Sequence, residues 1–199
     1  MLNRPELKSA AKAQIKGRIG ILFLCMLLIG LITGAATPLL GAGFIIAPAF
    51  SISMIMIYLA LIKGVAPEVG DIFKGFSLFG KALWLFVITQ FFIFLWSLLF
   101  FIPGIIKGIA YSMAPYILAE NPDMTAREAL SKSKEITHGH KGALFVLALS
   151  FIGWVLLTMV TFGIAIIYVG PYMQATYANA YQKLSGGAGV APVAETIEA

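Results

Sequence analysis

Three long stretches almost free of charge constrain this chain more than any motif in it. Ile19 to Ile62 is 44 residues without a charged side chain. Ala82 to Ala119 is 38 residues with one, Lys107, and Gly142 to Gln182 is 41 with none. A helix crosses the hydrocarbon core of a bilayer in about 20 residues, so each stretch has the length of two crossings. Turn-forming residues fall near the middle of each. Gly, Thr and Pro gather between Thr33 and Gly43, Phe101-Ile102-Pro103-Gly104 interrupts the second stretch, and Thr161-Phe162-Gly163 interrupts the third. Proline cannot donate to the helix ladder and glycine accepts positive φ, so chain reversals are expected there. The sequence predicts an all-α, polytopic membrane protein: six transmembrane helices as three helical hairpins, with Pro171 kinking the sixth.

Other classes fit poorly. The chain is 60% hydrophobic and 12% charged, against about 45–50% and about 25% in soluble domains. A chain of 199 residues cannot bury that much apolar surface in one water-facing globule. Barrel strands would alternate apolar and polar residues, and Leu83-Trp84-Leu85-Phe86-Val87-Ile88 does not. Cys25 stands alone in an apolar run, so there is neither a disulfide framework nor a thiolate metal site. The net charge of +5 would suggest nucleic acid in a soluble protein. Here the basic residues flank apolar spans, which makes anionic lipid headgroups the expected partner and nucleic acid no partner.

The hairpin assignment sorts the charges. Of the 14 Lys and Arg residues, 13 fall on one face, outside the hairpins. By the positive-inside rule that face is cytoplasmic, with both termini inside a multi-pass protein of the cell membrane. The 18 residues before the first span look helical and are long for a signal-peptide n-region, so the first span is expected to be retained.

The hairpins also repeat. Each follows a short polar segment in which a Glu (Glu6, Glu68, Glu128) precedes a closing Arg18, Lys81 or Lys141 by 12, 13 and 13 residues. The glutamates are 62 and 60 residues apart, and a fixed period is the mark of an internal repeat. Residues 1–184 are read as one integral membrane domain with repeats 1–62, 63–121 and 122–184, and the Gly/Ala-rich tail 185–199 as disordered. The preceding segments read as cytoplasmic amphipathic helices. Leu7, Ala11 and Ile15 form one apolar stripe, Val69, Ile72, Phe73, Phe76 and Phe79 a second, and Ala129, Leu130 and Ile136 a weaker third behind the capping box Thr125/Glu128. Such helices lie in the headgroup plane, which assigns Lys8, Lys12, Lys16, Arg18, Phe73, Phe76, Lys81 and Lys141 to the lipid-headgroup interface.

Chemistry-bearing residues are few. Lys107 is the one charge inside a hairpin, open to two readings: a site residue or an anchor whose stem snorkels to the interface. Gln90 lies in mid-span three, Tyr111 in span four, and Tyr172, Thr176 and Asn179 share a face of span six. These either line a cavity or make interhelical hydrogen bonds. Gly30 and Gly34 have the spacing of a close helix contact, consistent with a homo-oligomer. His138 and His140 lack further metal ligands at suitable spacing. No nucleotide-binding, metalloprotease or nucleophile motif occurs, so the sequence predicts no catalytic residue, no metal, no cofactor and no enzyme activity.

The motifs Phe101-Ile-Pro-Gly-Ile-Ile-Lys107, Tyr111-Ser-Met-Ala-Pro-Tyr-Ile-Leu118, Asn121-Pro122, Gly139-His-Lys141, Leu149-Ser-Phe-Ile-Gly-Trp154 and Gly170-Pro-Tyr172 resemble a bacterial integral membrane protein family. That family is known as domain of unknown function 975. The resemblance reaches about Leu184 and implies a polytopic membrane protein, mostly of Gram-positive bacteria, without implying an activity. The expected function is non-enzymatic binding of lipid, or of an amphipathic peptide partner, at the membrane. A small transporter or channel subunit is the alternative, and a metal enzyme using His138 and His140 a third reading.

Overall fold

A computed structural model describes residues 3–38, 41–99 and 101–186. Among them there is no strand. The helices are α1 (Arg4–Ile15), α2 (Ile19–Ala36), α3 (Ala42–Ile62), a 3-10 segment η1 (Val69–Leu78), α4 (Phe79–Leu99), α5 (Phe101–Tyr111), α6 (Ala114–Glu120), α7 (Ala126–Thr137), α8 (Lys141–Leu149), α9 (Ile152–Val160) and α10 (Ile166–Leu184). Two of the expected helix breaks are present. α2 gives way to α3 between Ala36 and Ala42, although residues 39–40 lie outside the described ones. α9 gives way to α10 through Phe162 at φ 50° and Gly163 at φ 90°. The third is displaced: α5 already begins at Phe101, so Pro103 falls in its first turn. There the proline's missing N–H has little helical bond to lose.

Among the described residues, four stretches are long and apolar enough to cross a membrane: Ile19–Ala36, Ala42–Ile62, Val69–Leu98 and Lys141–Val160. Of the six expected spans, the fourth and sixth are not among them. The fourth is broken at Ser112 and Met113 into helices of 11 and 7 residues, because Pro115 cannot donate to the Tyr111 carbonyl. The sixth, α10, is 19 residues long and continues through Pro171, but it carries too many polar groups. The apolar surface explains both. Large exposed apolar side chains lie on α2, on α4 from Trp84, on α8 and α9, and on the first turn of α10. Those of α6 and of α10 from Tyr172 to Gln182 are mostly buried. A helix shielded by its neighbours need not be apolar all round.

The core is therefore built from the later parts of α3, α6 and α10, with the three polar segments packed around it. η1 lies on α3, α7 on α5 and α6, and α1 closes the ring on α10. η1 and α7 thus each pack against the apolar helix that precedes them in the chain, and α1 packs against α10. Leu7, Ala11 and Ile15 of α1 are completely buried, as their stripe predicts. The second segment differs in its backbone. It is a 3-10 helix, with three residues per turn, so Ile72, Gly75 and Leu78 are buried at a spacing of three. Phe73 and Phe76 turn outward and form an aromatic cluster with Phe50 and Phe79. On α7 the buried face is Ala126, Ala129, Leu130, Ser133 and Thr137, with Ile136 at its edge.

A cationic cleft and three polar seams

A cleft lies between α4, α5 and α7. On α4, Trp84, Val87, Ile88, Phe91 and Phe92 recur at helical spacing and make one wall. Tyr111, at the end of α5, forms the back. Arg127, Leu130 and Lys134, three and then four residues apart on α7, form the other wall. The volume of the cleft is about 550 Å³. Phe92 and Tyr111 hold ring centroids 6.2 Å apart, and the Lys134 ammonium stands 5.4 Å from the Tyr111 ring centre. Trp84 and Arg127 also line an adjoining hollow with Gly80, Lys81, Thr125 and Ala126.

Local chain chemistry holds this cleft open. The Ser133 hydroxyl donates to the Ala110 carbonyl at 2.7 Å, near the point where α5 stops, and so fixes α7 across the helix end. Lys81 donates to the Pro122 carbonyl at 2.5 Å, which fixes the loop before α7 beside the start of α4. The Thr125 amide and hydroxyl donate to the Glu128 carboxylate at 2.7 and 2.8 Å. The amide bond first, and the hydroxyl second, hold that carboxyl below the usual range for Glu. Charge on α7 is sorted by face: Glu128, Lys132 and Glu135 line a different hollow, with Asp123.

The other polar groups make seams between segment and core. The Ser133 bond is one. At the second, the buried Ser53 hydroxyl accepts from the Gly75 amide at 2.8 Å and donates to the Ala49 carbonyl at 3.1 Å. A Cβ on Gly75 would overlap the Ala49 carbonyl oxygen. At the third, Gln14 and Asn179 exchange two amide hydrogen bonds of 3.0 and 2.7 Å, and Asn179 also donates to the Ala175 carbonyl. Near the ends of α3, α6 and α10, Glu120 accepts from the Tyr181 hydroxyl at 2.6 Å and from Gln182 at 3.3 Å, and faces Lys63 at 3.7 Å.

The profile of one family matches residues 1–107 and 98–188, which together cover nearly the whole chain. The chain belongs to the family of proteins of unknown function DUF975. No curated protein and no solved structure matches it.

The residues singled out in the sequence separate into distinct places. Tyr111 lies in the cleft. Lys107, one turn earlier on α5, is half-buried with its ammonium 4.6 Å from the Trp96 ring centre. Gln90 is exposed on α4. Tyr172, Thr176 and Asn179 are buried; Tyr172 packs edge-on to Phe151 and Trp154, and Thr176 donates back to the Tyr172 carbonyl. None of these three lines the cleft between α4, α5 and α7. Of the headgroup set, Lys8 is turned inward. It donates to the Ser150 carbonyl at 3.3 Å and lies 4.6 Å from the Phe151 ring centre. Burial, then Arg4 and Lys12, holds its ammonium below the usual lysine range. Lys12 faces the Tyr172 ring, Lys16 is exposed, and Arg18, Lys81 and Lys141 are half-buried. His138 and His140 flank Gly139 between α7 and α8, and no group of three metal-binding side chains forms among the described residues.

Of the cleft residues, the sequence marked Leu130 only as part of the apolar face of α7, and did not single out Trp84, Phe91, Phe92, Arg127 or Lys134 as site residues. The spacing of Arg127, Leu130 and Lys134 on a helix opened by a capping box was the available signal. Nothing in the sequence signalled the partnership of Gln14 with Asn179, which are 165 residues apart.

Proposed function

We propose that this protein is a non-enzymatic membrane protein that binds anionic lipid headgroups on the cytoplasmic side of the cell membrane. In this reading α5 with α6 and α10 also cross, giving six crossings in three repeats with both termini inside. The α5–α6 unit and α10 have the length for it, about 30 Å each at about 1.5 Å per residue. Thr176, Asn179, Tyr181 and Gln182 of α10 make hydrogen bonds inside the bundle, which lowers the cost of placing them in a bilayer.

The observation that carries the lipid reading is a surplus of unneutralised cations beside an apolar belt. Among the described residues, only Lys63, Lys74 and Lys183 are paired with a carboxylate. Among the described residues the remaining basic side chains outside the hairpins have no acidic partner, and the exposed large apolar side chains begin within a turn or two of Arg18, Lys81 and Lys141. Anionic headgroups supply that charge at about 1 kcal/mol per basic residue near the surface. Transport is less well supported, because Tyr172, Thr176 and Asn179 of the polar strip on α10 are buried among side chains.

The test is native mass spectrometry of the purified chain titrated with phosphatidylglycerol and phosphatidylcholine of matched chains. Preferential, saturable retention of phosphatidylglycerol is expected. Equal retention of the two lipids refutes the reading.

A further inference from the structure

We propose that the cleft between α4, α5 and α7 seats one anionic phospholipid, its phosphate on Arg127 and Lys134 and an acyl chain along the wall from Trp84 to Phe92. This inference rests on the lipid reading above and gives it a place. The volume of about 550 Å³ falls in the range of pockets that enclose part of a small ligand, about 300–1,000 Å³. The wall is apolar and runs about 12 Å along α4, at about 1.5 Å per residue, so its shape is that of a chain rather than of a compact polar molecule.

Charge complementarity selects an anion. Among the described residues Arg127 and Lys134 have no carboxylate within 4.0 Å, whereas Glu128 and Glu135 of the same helix line a hollow on its other side. A helix that places its acids on one face and two cations in an apolar groove is built to receive negative charge there. Arginine suits phosphate by its paired donors, and basic pockets between membrane helices are known seats for anionic lipid headgroups. The choice of a lipid over a peptide follows from what surrounds the groove. Trp84 is 53%, Val87 48% and Phe91 61% exposed, on one of the four stretches apolar enough to cross the bilayer. The bilayer itself therefore covers the opening.

The test compares the full chain with Arg127→Gln/Lys134→Gln and with Lys132→Gln, which alters the other hollow. Each is titrated with phosphatidylglycerol, cardiolipin and phosphatidylcholine and read by native mass spectrometry. The double variant is expected to lose anionic lipid binding about tenfold or more, and Lys132→Gln to retain it. Cardiolipin bound more tightly than phosphatidylglycerol would place one phosphate on each cation. Should the double variant fail to fold, phosphatidylglycerol brominated on its acyl chain is added stoichiometrically to protein in which Trp84 is the sole tryptophan. Quenching that is lost with phosphatidylcholine supports the seat, and equal quenching by both lipids overturns it. A wild-type preference for anionic lipid that persists in the double variant overturns this seat and leaves the broader reading standing. No preference in the wild type overturns both. Saturable binding of an acidic amphipathic peptide at these residues, without lipid retention, overturns the seat in favour of a peptide site.

Discussion

Replacing Gly75 with alanine tests how closely the second polar segment is held to the core. The glycine α-carbon lies against α3, where an added methyl group would overlap the Ala49 carbonyl oxygen and stand 2.6 Å from the Ser53 nitrogen. Both obstacles include backbone and cannot rotate away. Two costs follow. Overpacking a close-packed contact costs about 1–3 kcal/mol. Moving η1 outward also stretches the 2.8 Å bond from the Gly75 amide to the buried Ser53 hydroxyl, worth about 1 kcal/mol. Together these reach about 2–4 kcal/mol. A chain of this size loses about 2–4 °C of melting temperature per kcal/mol, so the expected drop is about 5–15 °C. The assay is thermal unfolding in a mild detergent, followed by fluorescence and by size-exclusion recovery after heating. Gly80, where a Cβ meets nothing within 4 Å, is the control. Gly80→Ala should be neutral or stabilising by up to about 1 kcal/mol, because alanine is the better helix former. Equal melting of Gly75→Ala and wild type would refute the packing of η1 on α3.

Further substitutions probe the other contacts. Asn179→Leu strands the Gln14 amide in the seam between α1 and α10 and should cost about 1–3 kcal/mol, with Gln14→Leu/Asn179→Leu recovering part of it in the same melts. Tyr58→Phe removes the one buried side-chain polar atom with no hydrogen-bond partner among the described residues; its melting temperature should match or exceed wild type, and a clear fall would contradict the packing there. Lys107→Met forfeits the cation–π contact with Trp96, worth about 0.5–1 kcal/mol, and is expected to lower the melting temperature by a few degrees at most. Glu128 is held low by the Thr125 amide, so its contribution is present above the unfolded value of about 4.3 and is lost as pH falls through the lower folded value. The melting difference between wild type and Glu128→Ala should be full above about pH 5 and shrink below about pH 4.

The parts of the fold that were legible in the sequence are those governed by local rules. Uncharged runs located the apolar helices, Gly163 marked a reversal, and the capping box at Thr125 placed the start of α7. The stripe Leu7, Ala11, Ile15 named the buried face of α1 because α-helical spacing applies there. The second segment is a 3-10 helix, whose period of 3 rather than 3.6 puts Ile72, Gly75 and Leu78 against the core and leaves Phe73 and Phe76 exposed. α10 is uncharged as far as Gln182 but carries more polar groups than the four apolar stretches, and α1 and α3 shield them. The cleft was hidden for a different reason. Its two walls come from residues about 40 positions apart, and the hydrogen bond of Ser133 to Ala110 that aligns them is a tertiary contact. Lys107 stood out as an isolated charge, but its ring partner Trp96 emerges only when α4 and α5 pair.

The central claim, that α10 crosses the membrane and leaves the basic end inside, is tested most directly by cysteine labelling from outside intact cells. In a Cys25→Ala background, single cysteines are placed at Phe162, 98% exposed in the turn before α10, and at Ser185, just after it. A membrane-impermeant maleimide should label Phe162→Cys in intact cells and Ser185→Cys only after permeabilisation. Labelling of both from the same side, or the reverse pattern, would contradict the account.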